Sequence, residues 1–296
     1  TLLNLFHGKW TPEKVRAVGA HCRKHGCTFT MDEMFNRWSG DWKPEYVPIK
    51  DELLAALREY ADVCEGTQHY SESGGLMFYW HPKNAMHRGR LSPRIAKGGH
   101  SLAQAYAETC AQTRRDLQQA KDAGLPGPIF SIECAFGFSP FLLRAGYDRV
   151  DLEVVYSDEL ERSYAGAKTA AEAFGRASFG TDMAMDWYGG MQSDGLWEAR
   201  WRTSLYHAYV RGADPIYNEH GLMSLKAHGR KFEHDDPVTR RYRKVLADFT
   251  SWCKAHPRAD GYPLATVGAI QGRFDGYVGI FQTHLFGQRT NDAFRV

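Results

Sequence analysis

Apolar residues gather in eight short runs along the chain, and amphipathic stretches separate most of them, a pattern that predicts strands alternating with helices. The first run covers 1–6. Thr11-Pro12-Glu13 then supplies an N-cap residue, a first-turn proline and an early acid, the start signal for a helix running to about Lys24. A second strand is expected over 27–31, ending in Asp32-Glu33, and helical spacing over 52–63 precedes a third strand at 76–80. The stretch 101–123 reads as a long helix closed by Gly124, because glycine turns a helix end at little steric cost. The fourth strand, 128–132, leads into Glu133, and the alternation Ile129, Ser131, Glu133 predicts that these three share the inner face.

A brief helix is expected at 138–145. The run 149–155 then alternates, with Val150, Leu152 and Val154 on one side and Asp151, Glu153 and Val155 on the other, which makes it the fifth strand. Ser157-Asp158 caps a helix reaching about Phe174, and 177–179 leads into Thr181-Asp182 at the end of the sixth strand. A helix over 196–211, a seventh strand at 215–218, a helix from Asp236-Pro237 to about His256 and an eighth strand at 264–270 complete the series. Strands joined by crossovers belong to the α/β class with a parallel sheet. With 296 residues against the about 250 that such a barrel needs, we expect a (β/α)8 TIM barrel. It would form a single catalytic domain over 1–296, truncated after strand eight because the chain stops soon after that run.

Composition narrows the function classes. A net charge of +2 gives no general attraction to nucleic acid or membrane, and no apolar run nears the roughly 18 residues of a membrane span, so a soluble protein is expected. The six cysteines show no C-x-x-C metal spacing and read as buried free thiols. Neither a P-loop nor a dinucleotide fingerprint is present, so no nucleotide cofactor is expected. Eight tryptophans and fifteen tyrosines are a heavy aromatic load. Trp197 and Trp201, four apart on one helix face, read as core, whereas Trp80 and Trp187 end strands and could offer flat faces to sugar rings. The stretch 81–107 holds Lys83, Arg88, Arg90, Arg94 and Lys97 with no acid, a composition that would attract an anionic carbohydrate.

Several strands end in carboxylates, and barrels of this kind do their chemistry at the C-terminal strand ends. Glu133 after the fourth strand, the Asn218-Glu219-His220-Gly221 end of the seventh and the aromatic tail Met185-Asp186-Trp187-Tyr188 of the sixth resemble the clan-A retaining glycoside hydrolases. That resemblance implies hydrolysis of an oligo- or polysaccharide, with Glu133 as acid/base and Glu219 as nucleophile. Many members of the clan carry Asn directly before the acid/base, whereas here Ile132 stands there and Asn218 precedes the other glutamate. Glu33, Trp80, Glu153, Asp182, Trp187, Asn218 and His220 are the expected substrate-binding residues.

Each acid also has a plainer reading as a loop or core ion pair, Glu133 with Arg144 for instance. Glu133, Glu153, Asp182 and Glu219 could instead hold a divalent cation in a metal-dependent sugar isomerase or aldolase-like barrel, since hard cations prefer carboxylate oxygen. A non-catalytic carbohydrate-binding barrel is the third reading. No metal and no cofactor are assigned, and the oligomeric state is not readable. Location stays open, with a secreted or periplasmic setting slightly favoured.

Overall fold

The computed structural model describes residues 2–5, 10–31, 36–38, 44–46, 49–71, 102–133, 138–154, 160–176, 178–184, 196–218, 237–258 and 270. Its elements in chain order are β1 (Leu2–Leu5), α1 (Pro12–His25), β2 (Thr28–Met31), β3 (Asn36–Trp38), β4 (Pro44–Tyr46), α2 (Asp51–Glu59), a 3-10 turn (Ala61–Val63) and β5 (Cys64–Ser71), followed by α3 (Leu102–Asp122), β6 (Ile129–Glu133), α4 (Ser139–Ala145), β7 (Arg149–Val154), α5 (Leu160–Ala173), β8 (Thr181–Met183), α6 (Trp197–Arg211), β9 (Ile216–Asn218) and α7 (Pro237–Ala255). Seven strands form one sheet in the order β1-β2-β5-β6-β7-β8-β9, and every neighbouring pair in it is parallel. β3 and β4 make a separate antiparallel hairpin. Cα atoms of β1 and β9, the two ends of the sheet, come within 8 Å of each other, so the sheet curls toward closure.

The expected strand positions hold for β1, β2, β6, β7, β8 and β9, but the third strand of the sheet is Cys64–Ser71 rather than 76–80. The run 76–80 lies outside the described residues, and of the expected eighth strand only Ile270 is described, fully exposed and without regular structure. α1 is built as its sequence predicts. Thr11 accepts a hydrogen bond from the Lys14 N–H, Pro12 occupies the first turn, and Gly26 ends the helix at φ 61. The Cys27 N–H then bonds the Cys22 carbonyl at 3.0 Å, which closes the turn and directs the chain into β2.

One face of the sheet packs on helices. Phe29, Met31 and Cys64 meet Val15 of α1 with Ala56 and Leu57 of α2. Ile129 and Val150 pack with Leu117 of α3 and Phe141 and Leu142 of α4. Leu152, Val154 and Met183 pack with Tyr164 of α5, Trp201 and Leu205 of α6 and Val245 of α7. Trp197 and Trp201 are core, as their spacing predicts, Trp201 stacking on Tyr242 with ring centroids 4.9 Å apart. Cys22, Cys64 and Cys110 are buried free thiols, and Cys27 and Cys253 are half-buried free thiols. No described helix is long and apolar enough to cross a membrane.

Thr67 pairs with Ile129, so the odd positions after the Gly66 bulge turn toward the helices, and His69 follows them. There the Tyr147 hydroxyl donates to the His69 carbonyl at 2.7 Å, which leaves the Nδ1–H of His69 to donate to the hydroxyl oxygen at 3.1 Å. Burial disfavours the imidazolium and pushes the His69 pKa down to about 3. Between that value and the roughly 6.5 of an unfolded histidine the unfolded chain binds the extra proton, so stability falls with acidification. Lowering the pH from 7.5 to 5 is expected to remove about 2 kcal/mol through His69 alone. Urea titrations of wild type and His69→Phe at both pH values check this: the two curves should separate on acidification, and parallel curves would rule out a buried neutral imidazole.

Candidate functional site

The sheet's other face points away from the helices, and its residues follow from the register. Gln68 pairs with Phe130, Phe130 with Arg149, Ile132 with Asp151, Glu153 with Asp182 and Asp182 with Tyr217. Register partners on neighbouring parallel strands share a face, and Phe130, Ile132 and Tyr217 indeed form their own apolar cluster apart from the helix-packed ones. The inner face therefore carries Gln68, Arg149, Asp151, Glu153 and Asp182 around an aromatic hub. All five are buried, with Asp151 at 0% exposure, Gln68 and Asp182 at 1%, Arg149 at 5% and Glu153 at 6%.

Asp151 is saturated by the protein. Arg149 grips it with two bonds, Nε to Oδ1 at 2.6 Å and Nη2 to Oδ2 at 2.9 Å. The Gly180 N–H adds a bond to Oδ1 at 2.8 Å, and the Tyr217 hydroxyl donates to Oδ2 at 2.8 Å. Arg149 also stacks over the Phe130 ring, 4.4 Å from its centroid, which fixes the guanidinium plane. Burial, together with the nearby charges of Asp151 and Asp182, holds the Tyr217 hydroxyl protonated, its pKa well above 10. These contacts make Asp151 a structural member of the inner face rather than a reactive acid.

Farther along the same strands, Glu153 of β7 stands beside Asp182 of β8. Of the three expected substrate-binding residues that are described, Glu153, Asp182 and Asn218, the fold sets the first two side by side. Their inward phase agrees with the alternation of 149–155, in which Val150, Leu152 and Val154 turn to the helices. Asn218 ends β9, half-buried and in register with the helix-facing Met183.

Glu133 is the last residue of β6, and its backbone pairs with Leu152, a helix-facing position. The expectation that Ile129, Ser131 and Glu133 share the inner face is overturned at Ile129, which packs against α3 and α4; the inner face of β6 carries Phe130 and Ile132. The Glu133 side chain lies outside the described residues, as do Glu33, Trp80, Trp187, Glu219 and His220 and the basic stretch 81–101. For Glu33, the in-phase Phe29 and Met31 do face the helices.

Gln68 was not foreseen. Its amide nitrogen and oxygen are both buried and have no hydrogen-bond partner among the described residues. The sequence pattern expects no strand over 64–71, and the irregularity of β5 at Gly66 resets its phase, so alternation carries no signal for Gln68. Among the described residues no group of three or more His, Cys, Asp or Glu side chains is arranged to hold a metal ion.

No protein-family model matches the chain, and no curated protein matches it. Among solved structures it is similar to a candidate alpha-L-fucosidase from Bacteroides thetaiotaomicron, with a TM-score of 0.44 at 12% identity over 86% of this chain and 94% of that one. An HpcH/HpaI aldolase from Desulfitobacterium hafniense gives 0.35 at 12% identity over 80% and 83%. A candidate phosphonomutase from Burkholderia cenocepacia gives 0.35 at 12% over 81% and 99%. At these scores the similarities carry no functional argument.

Proposed function

We propose that the chain is a glycoside hydrolase of the β/α-barrel type, cleaving an oligo- or polysaccharide with a pair of carboxyl groups at the C-terminal edge of the parallel sheet. The supporting observation is the common edge: β6 ends at Glu133, β9 ends at Asn218 directly before Glu219, and between them β7 and β8 present the buried acids Glu153 and Asp182 inward. The full eight-stranded form needs a further strand, expected over 264–270. Breaking a glycosidic bond requires one carboxyl to protonate the leaving oxygen and another, ionised, to meet the positive charge at the anomeric carbon. In a retaining enzyme the second attacks directly from about 5 to 5.5 Å away, and water later releases the sugar. Glu219 is assigned as nucleophile and Glu133 as acid/base. Because β6 turns Phe130 and Ile132 inward, Glu153 on the neighbouring strand is the rival for the acid role.

Release of reducing sugar from neutral and acidic oligosaccharides tests this with wild type, Glu133→Gln, Glu153→Gln and Glu219→Gln, each with and without EDTA. Activity should survive chelation and fall at least about 1,000-fold in Glu219→Gln. The true acid/base variant should recover on aryl glycosides, whose leaving groups need no proton, and Glu219→Gln should not. Loss of wild-type activity in EDTA would replace this reading with the metal-dependent barrel, and wild-type inactivity across the panel would exclude the hydrolase.

A further inference from the structure

We propose that Cys22 and Cys27 are a modification site, a dithiol that a small-molecule disulfide such as glutathione disulfide oxidises to a cross-link over the turn from α1 into β2. The backbone places the pair. Gly26 ends α1 in the left-handed region, and the N–H groups of Gly26 and Cys27 converge on the Cys22 carbonyl, that of Cys27 at 3.0 Å. In a helix ending of this kind the residue that offers the carbonyl and the residue after the glycine bring their side chains together. Standard backbone dimensions then hold the two Cα atoms within about 7 Å, and closer where the path between them bends, which meets the about 4.4–6.8 Å of a disulfide. Both side chains belong to the apolar cluster between β2 and the helices α1 and α2. Burial, followed by hydrogen bonding to the Cys27 thiol, pushes the Cys22 pKa up to about 12.

The two thiols differ in access, and this orders the steps. Cys22 is fully buried, whereas Cys27 is half-buried and reachable from solvent. Cys27, as thiolate, attacks one sulfur of glutathione disulfide, breaks its S–S bond and releases the first glutathione thiolate. Cys22 then gives up its proton and attacks the Cys27 sulfur, so the Cys22–Cys27 bond forms as the mixed disulfide breaks and the second glutathione leaves. The two thiol protons end on the two glutathiones; two cysteines are oxidised and one disulfide is reduced. Cys64 belongs to the same cluster, but its thiol donates to the Gly66 carbonyl at 3.9 Å and burial pushes its pKa up to about 11, which keeps it out of the exchange. β2 starts at Thr28, directly after Cys27, so the cross-link lies at the N-terminal edge of the parallel sheet, opposite the edge where β6 ends at Glu133. That edge of a barrel carries stability rather than chemistry, so oxidation should change melting and not the hydrolysis proposed above.

The test treats the folded chain with glutathione disulfide at mildly alkaline pH, removes the reagent, blocks the remaining thiols with iodoacetamide in denaturant and maps tryptic peptides by mass spectrometry. Trypsin cuts after Arg23 and Lys24, so the cross-link appears as the peptides 17–23 and 25–37 joined, two hydrogens lighter than their sum. Oxidised wild type should melt about 3–8 °C above the same sample after reduction, because closing the turn narrows the unfolded ensemble. Cys27→Ser should form no cross-link and show no such shift, while Cys64→Ala should still form it. A link from Cys64 to either partner, a glutathione adduct that persists on Cys27 without closure, or no reaction of the folded protein overturns the proposal. So does a cross-linked protein that melts no higher than the reduced one, which would show that the native turn must distort to close.

Discussion

Asp151→Ala is expected to lower the unfolding free energy by about 3–5 kcal/mol, measured by urea denaturation at pH 7.5. The magnitude follows from what the substitution strands. Arg149 is only 5% exposed, and a guanidinium cannot discard its proton to escape burial. Without Asp151 its charge loses both short bonds, and the Gly180 N–H and the Tyr217 hydroxyl lose their acceptor in the same step. Against a total stability of about 5–15 kcal/mol this is a large fraction, yet it leaves the chain folded at moderate temperature. A second variant separates the penalty of an orphaned charge from the value of the pair itself. Arg149→Met with Asp151→Leu should recover most of the loss, because well-packed apolar residues commonly replace a buried ion pair at little cost. A loss below about 1 kcal/mol in Asp151→Ala would mean that water reaches the guanidinium, contrary to its burial.

This inner ion pair also explains which parts of the fold can be read from sequence. β7 is legible because its outward residues Val150, Leu152 and Val154 are apolar and its inward residues Arg149, Asp151 and Glu153 are charged, so the two faces differ in kind. α1 is legible from Thr11, Pro12 and Gly26, whose backbone preferences act locally. β5 is not legible. Over 64–69, where burial is described, its buried positions are Cys64, Gly66, Thr67, Gln68 and His69, and all but Cys64 are polar or lack a side chain. A strand whose two faces are both buried, one against Tyr147 and the other against the inner polar set, shows no hydrophobic alternation. The apolar run 76–80 drew the assignment instead.

Local backbone geometry hid β5 further. Gly66 sits at φ 126, and a Cβ there would lie 2.3 Å from the Pro128 carbonyl oxygen, so glycine is needed where β5 and β6 approach. The bulge shifts the register between Phe29 and Met31 of β2 and thereby decides that Gln68 faces inward and His69 outward. No periodicity argument that treats β5 as regular would recover that choice. The candidate site was legible to the same degree: Glu153 follows from the alternation of 149–155 and Asp182 from its place at a strand end, whereas the inward phase of Gln68 depends on the bulge and the phase of β6 on its pairing with β7.

Gly180→Ala should cost about 3 kcal/mol, although it adds a single methyl group and the residue's φ lies outside the left-handed region. The new Cβ would stand 2.5 Å from both Cγ and Oδ1 of Asp151 and 2.7 Å from Oδ2. Neither side can yield cheaply. The Gly180 carbonyl accepts the Leu152 N–H at 2.9 Å, which ties β8 to β7, and the carboxylate is clamped by Arg149. The methyl group must therefore break the ion pair or part the strands. This makes the effect conditional on Asp151, and a double-mutant cycle exposes the condition. In the Asp151→Ala background the same substitution enters space that the carboxylate has vacated and should add less than about 0.5 kcal/mol, so the two losses couple by about 2–3 kcal/mol. Additive losses would show that the destabilisation arises in the backbone of β8 and not at the carboxylate. Strong coupling would identify the Gly180–Asp151 contact as the point where the inner charge network fixes the spacing of the two strands that carry Glu153 and Asp182.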